Sequence, residues 1–178
     1  FKKLNMEIIS VKRISPQGGS IRVIVQKKNG KYQIDDSIEK LIAIEQEMGL
    51  GSPDIFKNFS QKIEKAKFDL LKILDNLKNR GKTIVGFGAP TKSTTLLSHF
   101  EISKEYLDYI VDDNLLKQGK FTPGFHIPIK NSNHIYEQRP DYILILAWNF
   151  AESIMKRHAN FMKNGGKFII PMPKASIL

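Results

Sequence analysis

Apolar positions along the chain fall into three stretches of different period. From Met6 to Val11 and again from Ser20 to Gln26, β-branched residues alternate with polar ones (Ile8, Val11; Ile21, Val23, Val25). Between them lies Pro16-Gln17-Gly18-Gly19, and alternation around a glycine turn predicts an antiparallel strand pair. Two strands alone are marginal in water. The pair is therefore expected to pack on other elements or to complete a larger sheet.

The period then lengthens to that of helices. Asp36 or Ser37 can cap a helix carrying Ile38, Leu41, Ile42 and Met48, which Gly49 and Gly51 end. Ser52-Pro53-Asp54 supplies a second cap, a proline at the first helical position and an acid in the first turn. Phe56, Phe59, Ile63, Ala66, Leu70, Ile73 and Leu77 then recur at alternating spacings of three and four, up to a stop at Arg80-Gly81. Two readings of that stripe stay open: a helix lying on the core, or a homodimer formed through the 53–80 helix.

From residue 82 onward, short apolar runs alternate with helical patterns. Strands are expected at Lys82–Phe87, Leu107–Val111, His126–Ile129, Asp141–Ala147 and Lys167–Pro171. Helices are expected after Pro90 and over Phe150–Met162. Strands that are apolar throughout belong to parallel sheets covered on both faces. The predicted class is α/β, a Rossmann-like, mostly parallel sheet with helices on both faces, preceded by an N-terminal β-hairpin and two helices. The expected divisions are 1–33, 34–81 and 82–178.

Composition narrows the function classes. The net charge is +10, but residues 1–33 hold eight Lys/Arg against one acid, so the excess sits mainly on the hairpin. No recognition motif accompanies it, and nucleic acid is not an expected partner. No apolar run approaches the roughly 20 residues of a membrane span, and no signal peptide is visible. Zero cysteines exclude disulfides and thiolate metal sites and fit a cytoplasmic protein. A start at Phe1 suggests a fragment.

In a parallel sheet, ligands gather beyond the C-terminal ends of the strands. Three loops are placed there. The first is Gly86-Phe87-Gly88-Ala89-Pro90-Thr91-Lys92-Ser93-Thr94. Its glycines permit a tight turn, the next helix offers free N–H groups to an anion, and Lys92 adds charge. Thr91 stands where a dinucleotide fingerprint needs its third glycine, so an ordinary strand-to-helix turn is an equal reading. The second loop carries Asp112, Asp113 and Asn114, at an offset where an acid can accept from ribose hydroxyls; caps and turns use the same residues. The third is Lys117-Gln118-Gly119-Lys120-Phe121-Thr122-Pro123-Gly124-Phe125-His126, suited to phosphate and sugar or to a plain surface loop. The four histidines have no metal-ligand spacing, and neither a nucleophile elbow nor a phosphate loop is present. No catalytic residue is expected in this chain, and the metal expectation is none.

The blocks Gly86 to Leu97, Asp108-Tyr-Ile-Val-Asp-Asp-Asn114 and Lys117 to Pro128, in this order, with Asp141-Tyr-Ile-Leu-Ile-Leu-Ala-Trp-Asn149 and Gly165-Gly-Lys-Phe-Ile-Ile-Pro-Met-Pro173 after them, resemble the C-terminal domain of SAM-dependent sugar C-methyltransferases. The resemblance spans the whole chain if the hairpin is the last strand pair of the methyltransferase domain. It implies a parent that methylates a carbon beside the keto group of a nucleotide-linked deoxysugar, with S-adenosylmethionine bound mostly outside this chain and no cofactor within it. The implied partners are a nucleotide-diphosphate sugar and the methyltransferase domain. The implied substrate-binding residues are Gly86, Gly88, Ala89, Pro90, Thr91, Lys92, Asp112, Asp113, Asn114, Lys117, Gln118, Lys120 and His126. The family's catalytic Tyr-His-Glu-His segment has no counterpart here, so this chain alone is expected to be inactive. It departs from the family's Gly-Ala-Pro-Ala-Lys-Gly-Asn-Thr turn at Thr91, Ser93 and Thr94. A non-catalytic nucleotide-binding or assembly module of Rossmann type is the alternative.

Overall fold

A computed structural model describes all 178 residues. They form two compact units, Phe1–Gln61 and Lys62–Leu178. No helix is long and apolar enough to cross a membrane.

In the first unit the alternating segments pair as predicted. Strands β1 (Met6–Ile14) and β2 (Ser20–Lys27) are antiparallel, with the register from Met6↔Lys27 to Ile14↔Ser20 broken by a bulge between Ile8 and Ser10. The bulged Ile9 turns its carbonyl to the Asp35 N–H at 2.9 Å and is the hairpin's buried residue. Helix α1 (Ser37–Glu47) follows. Asp36 stands at its N-cap position without making a side-chain cap. The capping carboxylate is that of Asp35, which accepts from both the N–H and the hydroxyl of Ser37. The Ser37 oxygen in turn accepts the Val11 N–H at 2.8 Å, tying α1 to β1. Ile21 and Ile24 stay exposed, one on each face of β2.

Helix α2 (Pro53–Asn79) runs through both units. Its stripe divides. Phe56 and Phe59 are exposed, whereas Ala66, Leu70, Leu74 and Leu77 are buried. The buried set steps by four, four and three, close to the 3.6-residue turn of a straight helix. Leu74 therefore takes the core position expected of Ile73, which is half-buried.

The second unit contains β3 (Ile84–Phe87), α3 (Thr91–Phe100), β4 (Ile110–Val111), β5 (Ile129–Lys130) and α4 (His134–Gln138). These are followed by β6 (Tyr142–Ile145), α5 (Ala151–Arg157), α6 (Ala159–Lys163), β7 (Lys167–Ile170) and β8 (Ser176–Ile177). The sheet order is β5-β4-β3-β6-β7-β8, parallel throughout except for β8. Numbered within this unit, the order is that of the doubly wound nucleotide-binding fold. Strand alternation sorts side chains onto two faces. Ile84, Ile110, Leu144 and Ile169 meet α2 and α3. Val85, Val111, Ile143, Ile145 and Phe168 meet Ile135, Ile154 and Phe161 of α4, α5 and α6. Helices thus cover both faces, as the apolar strands required.

Two expectations needed correction, and one helix was not expected. The sheet does not close at β7, because the chain turns back after Pro171-Met172-Pro173 and adds β8 as an antiparallel edge. The segment 134–138 is helical, too short to show a period. The helix expected over Phe150–Met162 is interrupted at His158, whose φ of −105° and ψ of 30° leave the helical region. That break turns the imidazole inward, against the Phe87 ring at 4.9 Å between centroids and 2.8 Å from the Tyr136 hydroxyl.

At the opposite strand ends, Asp141 clamps β6 to β3. It accepts from Lys82 Nζ at 2.9 Å and from the Thr83 N–H and hydroxyl at 2.9 and 2.8 Å. These donors hold its carboxyl down to about 2.

His158 makes the fold sensitive to pH. Burial lowers its pKa, so the unfolded chain takes up the proton first. Its contribution is complete above the ordinary histidine value of about 6.5 and is lost as pH falls below it. Urea denaturation at pH 7.5 and 5.5 is expected to show wild-type stability falling with pH. The His158→Phe variant should lose the part of that slope due to this residue; an unchanged slope contradicts the assignment.

Candidate functional site

The order of strands reverses between β3 and β6, and the crevice at their C-terminal ends is where doubly wound folds bind ligands. The loops after these two strands, and after β4, build the candidate site.

The turn after β3 is shaped first by the sheet. A side chain at Gly86 would come within 2.7 Å of Ile110 Cγ1 and 2.9 Å of Leu146 Cδ1. At Gly88, where φ is +88°, a Cβ would lie 2.8 Å from that of Ala147. Both glycines are thus required by close packing of β3 against β4 and β6, and their missing side chains do not open a cradle for a ligand. Pro90 enters α3 in extended conformation (ψ 164°), leaving Thr91 exposed at the first helical position. Ser93 is buried and donates to the Pro90 carbonyl at 2.6 Å. Its hydroxyl is committed inside the turn.

Asp112 holds the crevice together. One carboxylate oxygen accepts the Ala89 N–H at 2.7 Å and Lys117 Nζ at 3.2 Å; the other accepts the Asn114 N–H at 2.8 Å. Its main-chain carbonyl accepts Gln118 Nε2 at 2.9 Å. The turn after β3 and both flanks of the next loop therefore converge on one buried acid. The expectation that Asp112 accepts from a ribose meets a carboxylate already holding three protein donors. Asp113 points the other way, paired with Arg157. Asn114 is exposed and accepts the Leu116 N–H at 3.0 Å.

Gly119 to Ile129 form a small ordered hairpin. The Gly119 N–H donates to the Ile129 carbonyl, the Ile129 N–H to the Lys120 carbonyl, and buried Thr122 Oγ1 accepts the Ile127 N–H at 3.0 Å. This arrangement leaves Lys120 exposed beside the crevice loop. His126 is exposed with φ 52°, a rare left-handed value for a residue with a side chain. None of these contacts gathers it with the Asp112 group.

The residues that the loop readings missed lie after β6. Trp148 and Phe150 sit in one turn of 3₁₀ helix, and Lys92 reaches across from α3. Its ammonium lies 5.1 Å from the Trp148 ring centre and 5.3 Å from that of Phe150. That nitrogen is buried and has no hydrogen-bonding partner in the protein. Removing an ammonium from water costs several kcal/mol, and cation–π contacts return about 1–2 kcal/mol. The arrangement therefore favours any acceptor that reaches the nitrogen. The sequence signal was the aromatic pair following a strongly apolar strand; the reversal of strand order beside it could not be read from one dimension.

S-adenosylmethionine does not fit these residues. The glycine turn is filled by Ile110, Leu146 and Ala147, and the acid that would hold a ribose is bound to Ala89, Asn114 and Lys117. A second cleft of about 460 Å³ lies at the other ends of the strands, lined by Tyr136, Arg139, Asp141, Phe161 and Asn164 among others. Its acid is engaged by Lys82 and Thr83.

The strand order and the helices on both faces define a Rossmann-type domain. Residues 15–173 match the family model described as the C-methyltransferase C-terminal domain, and the chain belongs to that family. It is 29% identical over 178 residues to the C-methyltransferase NovU of Streptomyces niveus. That alignment covers all of this chain and 42% of NovU, so the chain spans about two-fifths of this relative's length.

The two adjacent acids should separate cleanly in stability. Asp112→Ala is expected to lower unfolding free energy by roughly 2–3 kcal/mol, because two partly buried hydrogen bonds from the Ala89 and Asn114 N–H groups and the pairing with Lys117 are lost. Asp113→Ala removes an exposed ion pair and should cost less than about 1 kcal/mol. Urea denaturation of both variants measures the difference; equal losses contradict the latch.

Proposed function

We propose that this chain is the substrate-binding part of a SAM-dependent sugar C-methyltransferase, and that its switch-point crevice takes the diphosphate of a nucleotide-linked sugar. The observation that carries this reading is Lys92, an ammonium without a hydrogen-bonding partner at the β3–β6 crevice of a chain in the C-methyltransferase C-terminal domain family. Exposed Lys120 supplies a second cation, while Lys117 is held by Asp112. Exposed Asn114 is the candidate for sugar or ribose hydroxyls, because the Asp112 carboxylate serves the protein and Asp113 is paired with Arg157.

The substrate carries its ketone beside the carbon to be methylated. A proton there is acidic because the resulting carbanion is delocalised as an enolate. Proton removal is assigned to the rest of the parent, as is the methyl donor. In that reading residues 1–33 are the last strands of the methyltransferase domain, 34–81 a connector, and 82–178 the ligand-binding domain. The parent would be cytoplasmic, where nucleotide sugars are made available.

Titration of the chain with thymidine diphosphate tests the binding claim. Heat release in calorimetry and an upward shift in Tm are expected at millimolar ligand, since a ligand that binds only the folded state stabilises it. Lys120→Ala should weaken binding and reduce its salt dependence. No heat and no thermal shift would sink the reading.

A further inference from the structure

Lys92, Trp148 and Phe150 form a cluster that binding alone does not require. The Lys92 nitrogen is screened from solvent by the rings it sits on, so a diphosphate arriving in the crevice meets no exposed ammonium there. Phe150 itself is 55% exposed, at the solvent edge of the cluster. It lies in a short 3₁₀ turn between β6 and α5. Trp148 is anchored more deeply, packed against the α2–α3 face of the core.

We propose that these three residues form a gated anion site: Trp148 and Phe150 hold the Lys92 ammonium in the free protein, and a ligand diphosphate draws it out from under Phe150. The inference rests on the diphosphate reading above and adds the device by which that site opens. The direction follows from the chemistry of the two states. Under the rings the ammonium has attraction to π-faces but no acceptor for its three N–H groups. Against a diphosphate it gains charge-assisted hydrogen bonds to oxygen, which are the stronger kind. Phe150, freed from the cation, loses little because its ring is already half in solvent. Trp148 stays, and its face becomes available to a ring of the ligand.

The chain has a single tryptophan, so the event can be read from its emission. Thymidine diphosphate and inorganic pyrophosphate are both expected to change Trp148 fluorescence saturably, as the ammonium leaves its face. Thymidine without phosphate should not. Lys92→Met, which keeps an apolar chain under the rings, should abolish the change and weaken calorimetric binding about tenfold. Phe150→Ala removes the outer ring and should tighten diphosphate binding; weaker binding would show that Phe150 stacks on the ligand and would overturn the gate. Calorimetric binding of diphosphate with unchanged Trp148 emission and wild-type affinity in Lys92→Met would also overturn it, while leaving the proposed function intact. Absence of any diphosphate binding by calorimetry would remove both. Circular dichroism of each variant confirms that it is folded.

Discussion

The crevice depends on one carboxylate. Asp112 stands at the end of β4, buried, and receives the Ala89 N–H, the Asn114 N–H and Lys117 Nζ. Each donor comes from a different part of the site: the turn after β3, the start of the β4 loop, and the lysine-bearing segment beyond it. Without the acid, two backbone N–H groups near the sheet edge would lack acceptors, a loss of about 1–3 kcal/mol each when buried. The latch also explains why the turn needs no third glycine. Its path is fixed by an acid from the neighbouring strand and by packing of Gly86 and Gly88 against β4 and β6, so the backbone need not approach a ligand closely.

This changes what the sequence motif means. A glycine-rich turn followed by an acid on the next strand is the usual arrangement for holding a dinucleotide ribose. Here the same two parts hold each other. In the proposed reading, ligand recognition falls to Lys92 on α3, which lies against Trp148 and Phe150, and to exposed Lys120. The fold is retained while its nucleotide turn serves as structure.

The layered α/β architecture was legible because each strand of the second unit is a short apolar run, and because glycine and proline punctuate the elements. Hairpin, α1 and α2 were legible from their periods. Less legible were features decided by tertiary contact. Leu74 replaces Ile73 in the core because a straight helix drifts from a heptad. His158 breaks a helix whose pattern continues through it, since its ring fills space against Phe87. β8 is two residues long and carries no period. At the site, Asp112 and Lys92 were identified by residue type, but their roles were not. An acid at a strand end reads the same whether it faces a ribose or a backbone N–H, and no spacing places Trp148 over a lysine on another helix.

The central claim is that ligand enters at the β3–β6 switch point and not at the cleft on the other side of the sheet. Amide and tryptophan-side-chain NMR shifts of the labelled chain, recorded with and without thymidine diphosphate, test this directly. The account predicts that the largest changes fall on Ala89 to Thr94, Lys117 to Lys120 and Trp148 to Phe150, with Tyr136, Arg139 and Asn164 to Gly166 unmoved. The reverse pattern, with changes confined to the cleft of Tyr136 and Arg139, would contradict it.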